Sequence, residues 1–435
     1  MMNLLALWAG NADSTASIDT YEAIIGASII ILLSYSFDIL AKKANIPSVI
    51  MLIALGMGLA FGLKQFGINP GDKVIGALEI LGTIGLILIV LEAALDLKLE
   101  KEKTSIIIRS FIVAFLVLAL TVAFIGFAFI AFLGLDWLPA IIYAVPLSIM
   151  SSAIVIPSVG GLSEEKKEFM IYEATFSDIL GIILFFFLTQ IDPQSTDIGQ
   201  AAMGQIGSIV ITIIISTVIS YALVYFISRV TKKANFFTIF AMLSLFYAGG
   251  KLLHLSSLIM ILIFGLVLYN HKVFFRGWMA RFCDDSTITR ILEDFKLLTH
   301  QSAFLVRTFF FVVFGMIISL SALKDVNVIV ISLVVLAIIY IVRFVHLWLV
   351  QDSRASIMPE LLIAPRGLIT VLLFFAIPQQ HKTEAFNEGI MFVVIIVSSL
   401  VMMFALIFAK KDYHVIEDIT TISDDEILGY GRDGE

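Results

Sequence analysis

The sequence has 435 residues, of which 60% are hydrophobic and 14% are charged, and its formal net charge is −7. A soluble globular domain carries roughly 45–50% apolar and about 25% charged residues, so this composition excludes a soluble domain and indicates a membrane-embedded chain. The single cysteine, Cys283, excludes a disulfide framework and a cysteine metal cluster, and residues 1–20 lack the basic leader of a cleaved signal peptide.

Thirteen segments are long and apolar enough to cross a membrane as helices, since a spanning helix needs about 20 mostly apolar residues. The sequence therefore predicts an all-α membrane protein with thirteen transmembrane helices and no attached soluble domain. The predicted spans are, in chain order, 21–41, 47–63, 74–96, 104–133, 139–158, 170–190, 202–228, 236–252, 255–270, 302–323, 327–350, 357–378 and 386–409.

The loops between these spans differ in charge from one side to the other. The loops and C-terminal tail on one side carry nineteen of the 28 lysine and arginine residues, whereas the loops on the opposite side carry five. Basic loops stay in the cytoplasm. The N-terminal residues 1–20 are therefore predicted outside, followed by a transmembrane domain over 21–410 and an acidic cytoplasmic tail over 411–435.

Two predicted spans are interrupted by proline. Proline removes an intrahelical hydrogen bond, and hydroxyl side chains then help to satisfy the freed backbone groups. Each interrupted span is the fifth of a set of six, spans 1–6 and spans 8–13, which predicts two inverted repeats with a transport site at the interruptions. The first span holds Pro146 and Pro157 around Ser148, Ser151 and Ser152, and the second holds Pro359, Pro365, Gly367 and Pro378.

Ionisable side chains well inside a span usually mark a transport pathway or an ion pair. Asp178, with the hydroxyl of Ser177 beside it, offers the oxygen atoms that a hard cation prefers, and we interpret it as an ion-binding carboxylate. The alternative for Asp178 is a structural ion pair. For Glu173 an ion pair is the favoured interpretation, with Arg343 or Arg366 as the partner. Of the other charged residues, Glu92 has no assigned role, Asp38, Asp96 and Arg109 lie near helix ends, and Arg307 begins its predicted helix.

Around these residues the sequence resembles the monovalent cation–proton antiporter superfamily, the sodium–proton exchangers and their bacterial relatives. The stretch YEATFSD is similar to the exchangers' motif E-S-x-x-N-D, with Glu173 at its Glu, Ser177 at its Asn and Asp178 at its ion-binding Asp. APRGLIT, which contains Arg366, resembles their L-R-G-A stretch, and YIVRFVHL resembles the helix whose arginine, here Arg343, pairs with the motif glutamate. The resemblance covers about residues 21–410.

The sequence departs from the exchanger pattern in two places. Exchangers with the Asn-Asp motif usually carry Thr-Asp-Pro on the fifth helix, where this chain has Ser151 and Ser152, and Ser177 replaces the usual Asn. The serine pair is similar to the branch of the superfamily that includes potassium–proton systems. Both sodium and potassium therefore remain open as the transported cation.

The resemblance implies an electroneutral exchange of a monovalent cation, sodium or also lithium, for protons by alternating access. It implies a homodimer in a bacterial inner membrane, surrounded by lipid, in which each protomer has a mobile core of about residues 104–190 and 327–409 with two crossing broken helices. A potassium–proton antiporter is the alternative. A cation channel is disfavoured because no selectivity-filter repeat is evident, and a solute symporter because few polar groups are available for an organic substrate. No enzyme motif, cofactor or nucleic-acid partner is predicted. The residues given a role by the resemblance are Asp178, Ser177, Ser151 and Ser152 at the ion and proton site, Glu173 and Arg343 as an ion pair, and Arg366 at a helix end.

Overall fold

A computed structural model of the protein describes residues 20–44, 48–65, 71–191, 198–229, 236–252, 255–276, 285–317, 325–350 and 357–407, and the regular structure there is helical. The predicted N-terminal segment, the acidic tail and the side chain of Asp38 lie outside what is described. The helices are α1 (Thr20–Ala44), α2 (Ser48–Gln65), α3 (Gly71–Asp96), α4 (Thr104–Leu133), α5 (Trp137–Ser148), α6 (Ser152–Ser158), α7 (Glu164–Thr189), α8 (Ile198–Arg229), α9 (Phe236–Leu252), α10 (Ser257–Tyr269), α11 (His271–Phe274), α12 (Asp285–Ile317), α13 (Val326–Val350), α14 (Leu368–Phe375) and α15 (Gly389–Ile407).

Each predicted span overlaps a helix or an interrupted helix, which makes this an all-helical, multi-pass membrane protein. Eight of the helical segments in the described ranges are long and apolar enough to cross a membrane, and three shorter apolar helices accompany them. The total of thirteen spans and the inverted repeats remain predictions.

The predicted start of the tenth span is wrong. The span expected to begin at residue 302 belongs to α12, which begins at Asp285, so that Arg307 lies within the helix and not at its start. The first turns of α12 are amphipathic: Ile288 and Phe295 are buried, whereas Arg290 and Glu293 are exposed. An apolar run alone does not detect such a helix, because only one face of it is apolar.

The helices pack in two groups. In the first, α12 packs along α2 and α3, and α10 packs against α3, α8 and α9. Gly56 of α2 and Gly315 of α12 lie face to face, and a Cβ atom on either residue would overlap the backbone of the opposite helix. Small residues at such a crossing let two membrane helices approach closely, which holds α2 and α12 together at this point.

The second group contains the interrupted helices. Here α4 packs against α5, α7 and α13, while α6 and α14 also contact α7. Helix α4 ends where Gly134 takes a left-handed φ of 65° and donates its N–H to the Ile130 carbonyl, a common way to end a helix. Helix α7 begins with Glu164 and Glu165 in its first turn, where acidic side chains favour the helix dipole. Helix α3 contacts α7 and α14, so it links the two groups.

Candidate ion-binding site

The first interruption separates α5 from α6 by three residues in or near extended conformation, Ile149 to Ser151. Three N–H groups in or directly after this interruption find acceptors outside the local helix. Met150 donates to the Ser177 hydroxyl oxygen at 2.9 Å, Ser151 donates to the Pro365 carbonyl at 3.0 Å, and Ser152 donates to an Asp178 carboxylate oxygen at 3.1 Å. A membrane core offers no water to these groups. The hydrogen bonds to α7 and to the second interruption therefore stabilise the break between α5 and α6.

Asp178 lies on α7 opposite this interruption and is completely buried. Its Oδ2 atom accepts both the backbone N–H and the hydroxyl of Ser152. Its Oδ1 atom is also buried but has no hydrogen-bond partner among the described residues, and the same is true of the Ser151 hydroxyl oxygen. A buried carboxylate oxygen without a partner from the protein can accept a hydrogen bond, carry a proton or bind a cation, because an unpaired buried charge is very costly.

The second interruption lies between residues 358 and 367, where turns and irregular backbone precede α14. The carbonyl of Pro365 accepts the N–H of Ser151. A Cβ atom on Gly367 would overlap the Ser151 side chain, so this glycine permits the two interruptions to touch. The two segments that the prolines single out in the sequence are therefore in direct contact.

Arg366 is buried, and its guanidinium group donates only to backbone carbonyls among its described bonds. Its Nε atom reaches the Leu147 carbonyl at 2.8 Å, and its NH2 atom reaches the Ser148 carbonyl at 3.2 Å, both in the last turn of α5. The carbonyl end of a helix carries partial negative charge. A positive side chain thus faces the end of α5, while the carboxylate of Asp178 faces the N–H groups at the start of α6.

Glu173 and Arg343 form a bidentate ion pair between α7 and α13. The distances from Arg343 NH1 and NH2 to the two Glu173 carboxylate oxygens are 2.5 and 2.9 Å, and each side chain is 2% exposed. The structure therefore brings Glu173 to Arg343 and not to Arg366. Glu173 lies five residues before Asp178 on α7, and its carboxylate is turned toward a different helix.

The sequence analysis missed a third buried acid, Glu360. Its carboxylate accepts a hydrogen bond from the Lys166 ammonium group at 2.8 Å, and its backbone carbonyl accepts one from Arg343 Nε at 2.9 Å. Lys166 also donates to the Met358 carbonyl at 3.1 Å. These bonds tie the second interruption to the start of α7 and to α13. The sequence signal that could have identified Glu360 is its position beside Pro359 inside a predicted span.

Two further acids of the described spans, Glu92 and Asp96 on α3, pair with basic side chains of α12 and not with the residues around Asp178. A cavity of about 470 Å³ opens between α3, α7, α9 and α10, and its lining includes Phe186, Thr189 and Lys251. Thr189 lies eleven residues along α7 from Asp178, which corresponds to about 16 Å of helix. The carboxylate itself stays closed off.

The sequence profile described as "Sodium/hydrogen exchanger, transmembrane" matches residues 28–410 of this chain, which is most of its length. The chain belongs to the sodium/hydrogen exchanger family. This exchanger is accordingly a membrane transporter and not an enzyme, and family membership supports cation–proton antiport as its class of activity.

Solved structures share the fold of this exchanger. A structure of the sodium proton antiporter MjNhaP1 from Methanocaldococcus jannaschii is 20% identical, covers 89% of this chain and 96% of its own, and superimposes with a TM-score of 0.63. An electron-microscopy structure of the same antiporter is 19% identical, covers 90% of this chain and 96% of its own, and has a TM-score of 0.59. No curated protein sequence matches the chain significantly.

Proposed function

We propose that this exchanger carries a monovalent cation in one direction and a proton in the other, and that both bind in turn to Asp178. The observation that carries the proposal is the state of this carboxylate. It is completely buried, one oxygen is held by Ser152, and the other oxygen has no partner in the described part of the chain. A proton or a cation completes the site, and the two cannot occupy it together.

The neighbouring oxygens suit a hard monovalent cation. Hydroxyl and carboxylate oxygens are the ligands of such ions, and Ser151 has a buried hydroxyl oxygen without a partner in the described structure. Ser152 fixes the carboxylate, and Ser177 fixes the Met150 N–H at the interruption. We therefore propose Ser151 as a cation ligand with Asp178, and Ser152 and Ser177 as residues that position the site and complete it as the cation binds.

Burial of the site supports alternating access. Asp178 has no exposed surface, so a helix movement must open it to each side in turn. The proposed moving unit is the core of residues 104–190 and 327–409, in which the Glu173–Arg343 pair and the bonds of Arg366 hold the interrupted helices together. The proposed assembly is a homodimer in a bacterial inner membrane with the N-terminus outside.

The pairing of the other acids supports exchange of one cation for one proton. Glu173 is bound to Arg343, Glu360 to Lys166 and Glu92 to Arg307. Asp178 has no basic partner within the described ion pairs, and a single carboxylate carries one positive charge in either direction. Sodium is the proposed cation, with lithium as a further substrate. Potassium is the alternative, favoured by the pair Ser151-Ser152.

The test is proton movement in proteoliposomes with sodium, lithium and potassium supplied in turn. Wild-type protein should move protons against sodium or lithium, and Asp178→Asn, which keeps the shape but cannot titrate, should lose at least about 99% of that rate. A matched control is Glu164→Gln, because Glu164 is an exposed acid at the start of the same helix. Exchange that survives Asp178→Asn would contradict the proposal, and exchange only with potassium would correct the cation.

A further inference from the structure

Five titratable side chains meet where α3 packs against α12, outside the site just described. Glu92 and Asp96 are four residues apart on α3, and Lys296 and His300 are four residues apart on α12, with Arg307 two turns further on. Side chains spaced by four residues share one face of a helix. The two faces oppose each other, because α12 packs along α3.

His300 lies between the two acids. Its Nδ1 atom is 2.8 Å from Glu92 Oε1, and its Nε2 atom is 3.2 Å from Asp96 Oδ1. Each acid also has a permanent cationic partner: Arg307 NH2 is 2.8 Å from Glu92 Oε2, and Lys296 Nζ is 3.0 Å from Asp96 Oδ1. These four contacts form one continuous chain of charged groups.

The geometry requires one proton more than neutral histidine supplies. A neutral imidazole ring has one N–H group and can donate to only one acceptor. Here both ring nitrogens face carboxylate oxygens, which accept and do not donate when ionised. Arg307 and Lys296 each contact one of the two carboxylates at the distance typical of a charge-assisted hydrogen bond. The geometry therefore favours the imidazole ring of His300 as the place of the additional proton.

The charge of this cluster depends on that proton. The two acids are balanced by Arg307 and Lys296, so the cluster is neutral when His300 is neutral and carries one positive charge when His300 is protonated. Two tyrosines also pack against this part of α12. The hydroxyl of Tyr269, on α10, is 3.4 Å from Lys296, and the hydroxyl of Tyr35, on α1, bonds to Gln301.

The cluster lies close to the helix of Asp178. Helix α3, which carries Glu92 and Asp96, packs directly against α7, which carries Asp178. A positive charge near an ionised carboxylate stabilises its empty form and so weakens the binding of any cation to it. A unit charge acting across about 10 Å of protein at an effective dielectric constant near 20 changes affinity on the order of tenfold.

We propose that His300, held between Glu92 and Asp96, is a second proton-binding site, and that its proton lowers the affinity of Asp178 for cations. The effect on Asp178 rests on the proposed function, whereas the proton on His300 does not. Binding of this proton is a simple transfer from water to the imidazole ring, and it is released again to water. The site would make cation affinity depend on pH beyond direct competition at Asp178.

Two variants fix the charge in opposite states, His300→Gln as permanently neutral and His300→Arg as permanently positive. Sodium binding is measured by titration calorimetry on the purified full-length protein over a range of pH. At alkaline pH, where proton competition at Asp178 is least, His300→Arg should bind sodium about tenfold more weakly than His300→Gln. As pH rises, the wild type should pass from the affinity of the arginine variant to that of the glutamine variant. His271→Gln, a buried histidine with a backbone contact on the neighbouring α11, is the control and should follow the wild type.

A second measurement needs no transport assay and only one His300 variant that folds. Nitrogen-15 NMR of labelled histidines should show one protonated imidazole ring that is absent from whichever His300 variant folds. Equal sodium affinities in the two His300 variants would overturn the effect on Asp178, and a neutral His300 at neutral pH would overturn the site itself. Sodium binding that survives Asp178→Asn in the same experiment would instead overturn the proposed function and leave the proton on His300 standing.

Discussion

Asp178 and the acids of the α3–α12 contact have opposite kinds of partner. At the α3–α12 contact, Glu92 and Asp96 each have a basic partner at 2.8–3.0 Å. At the two interruptions, Asp178 has only hydroxyl and N–H donors, and one of its oxygens has no partner in the described structure. A paired acid keeps its charge and holds helices together, whereas an acid without a cationic partner needs an ion or a proton. An acid of the transport site is therefore distinguished from a structural acid by its partners, and not by its burial alone.

The Glu173–Arg343 pair should show the largest cost in stability. Removing one member of a buried ion pair leaves the other charge uncompensated and costs about 3–5 kcal/mol. Glu173→Gln and Arg343→Ala should each lower the melting temperature in detergent. The double variant should lose clearly less than the sum of the two, and strict additivity would contradict a direct interaction.

Glu360→Gln should have a smaller effect than breaking the Glu173 pair. Its carboxylate is 3% exposed, but its partner Lys166 is 25% exposed and can turn toward solvent. The expected loss is about 1–3 kcal/mol for the bond to a charged group. Glu164→Gln, which breaks the exposed pair with Lys167, should cost less than about 1 kcal/mol. Equal melting temperatures for the two variants would show that Lys166 and Glu360 do not hold the second interruption.

Alanine variants of Ser151 and Ser152 should differ in their effects on sodium affinity and on stability. Ser151→Ala removes a hydroxyl oxygen without a described partner, so stability should be unchanged while sodium affinity falls about fivefold, the size of one polar contact of ~1 kcal/mol. Ser152→Ala removes a donor to Asp178 and should affect both. Melting curves and sodium titrations on the two variants test this difference, and unchanged sodium affinity in Ser151→Ala would remove it from the ion site.

The smallest expected effect is that of membrane potential, which should be zero. A potential of 100 mV performs about 2.3 kcal/mol of work on each unit charge moved, but an exchange of one cation for one proton moves no net charge. Sodium-loaded proteoliposomes with an imposed potassium–valinomycin potential should reach the same equilibrium with and without the potential. A shift in that equilibrium would contradict the one-for-one exchange and bring Glu92 into consideration as a second titrating group.

Much of this fold could be predicted from apolar length. The span predicted over 104–133 has the bounds of α4, and the span over 236–252 has those of α9. Prolines marked the interrupted spans correctly, but Pro146 and Pro157 lie within α5 and α6, and the interruption falls between them at Ile149 to Ser151. The start of α12 was missed because its polar face is satisfied by α3, a partner that an apolar count does not include.

Only the local part of the site could be predicted from the sequence, because its other contacts join residues that are far apart in the chain. Asp178 and Ser177 stand side by side in a span, so their chemistry is visible locally. The bonds of Arg366 to the end of α5 and of Lys166 to Glu360 join residues about two hundred positions apart. Only the packing of the helices decides such contacts. The pairing of Glu92 with Arg307 and His300 depends in the same way on the contact of α3 with α12.

If a cation and a proton compete for the carboxylate of Asp178, binding of the cation must release the proton. Sodium is titrated into purified exchanger at a pH where Asp178 is protonated, in buffers of different ionisation enthalpy, so that calorimetry reports the number of protons released for each sodium ion bound. We predict about one proton per sodium ion for the wild type, and no sodium-linked release for Asp178→Asn. Sodium binding that releases no proton in the wild type, or that releases one in Asp178→Asn, would contradict competition at Asp178.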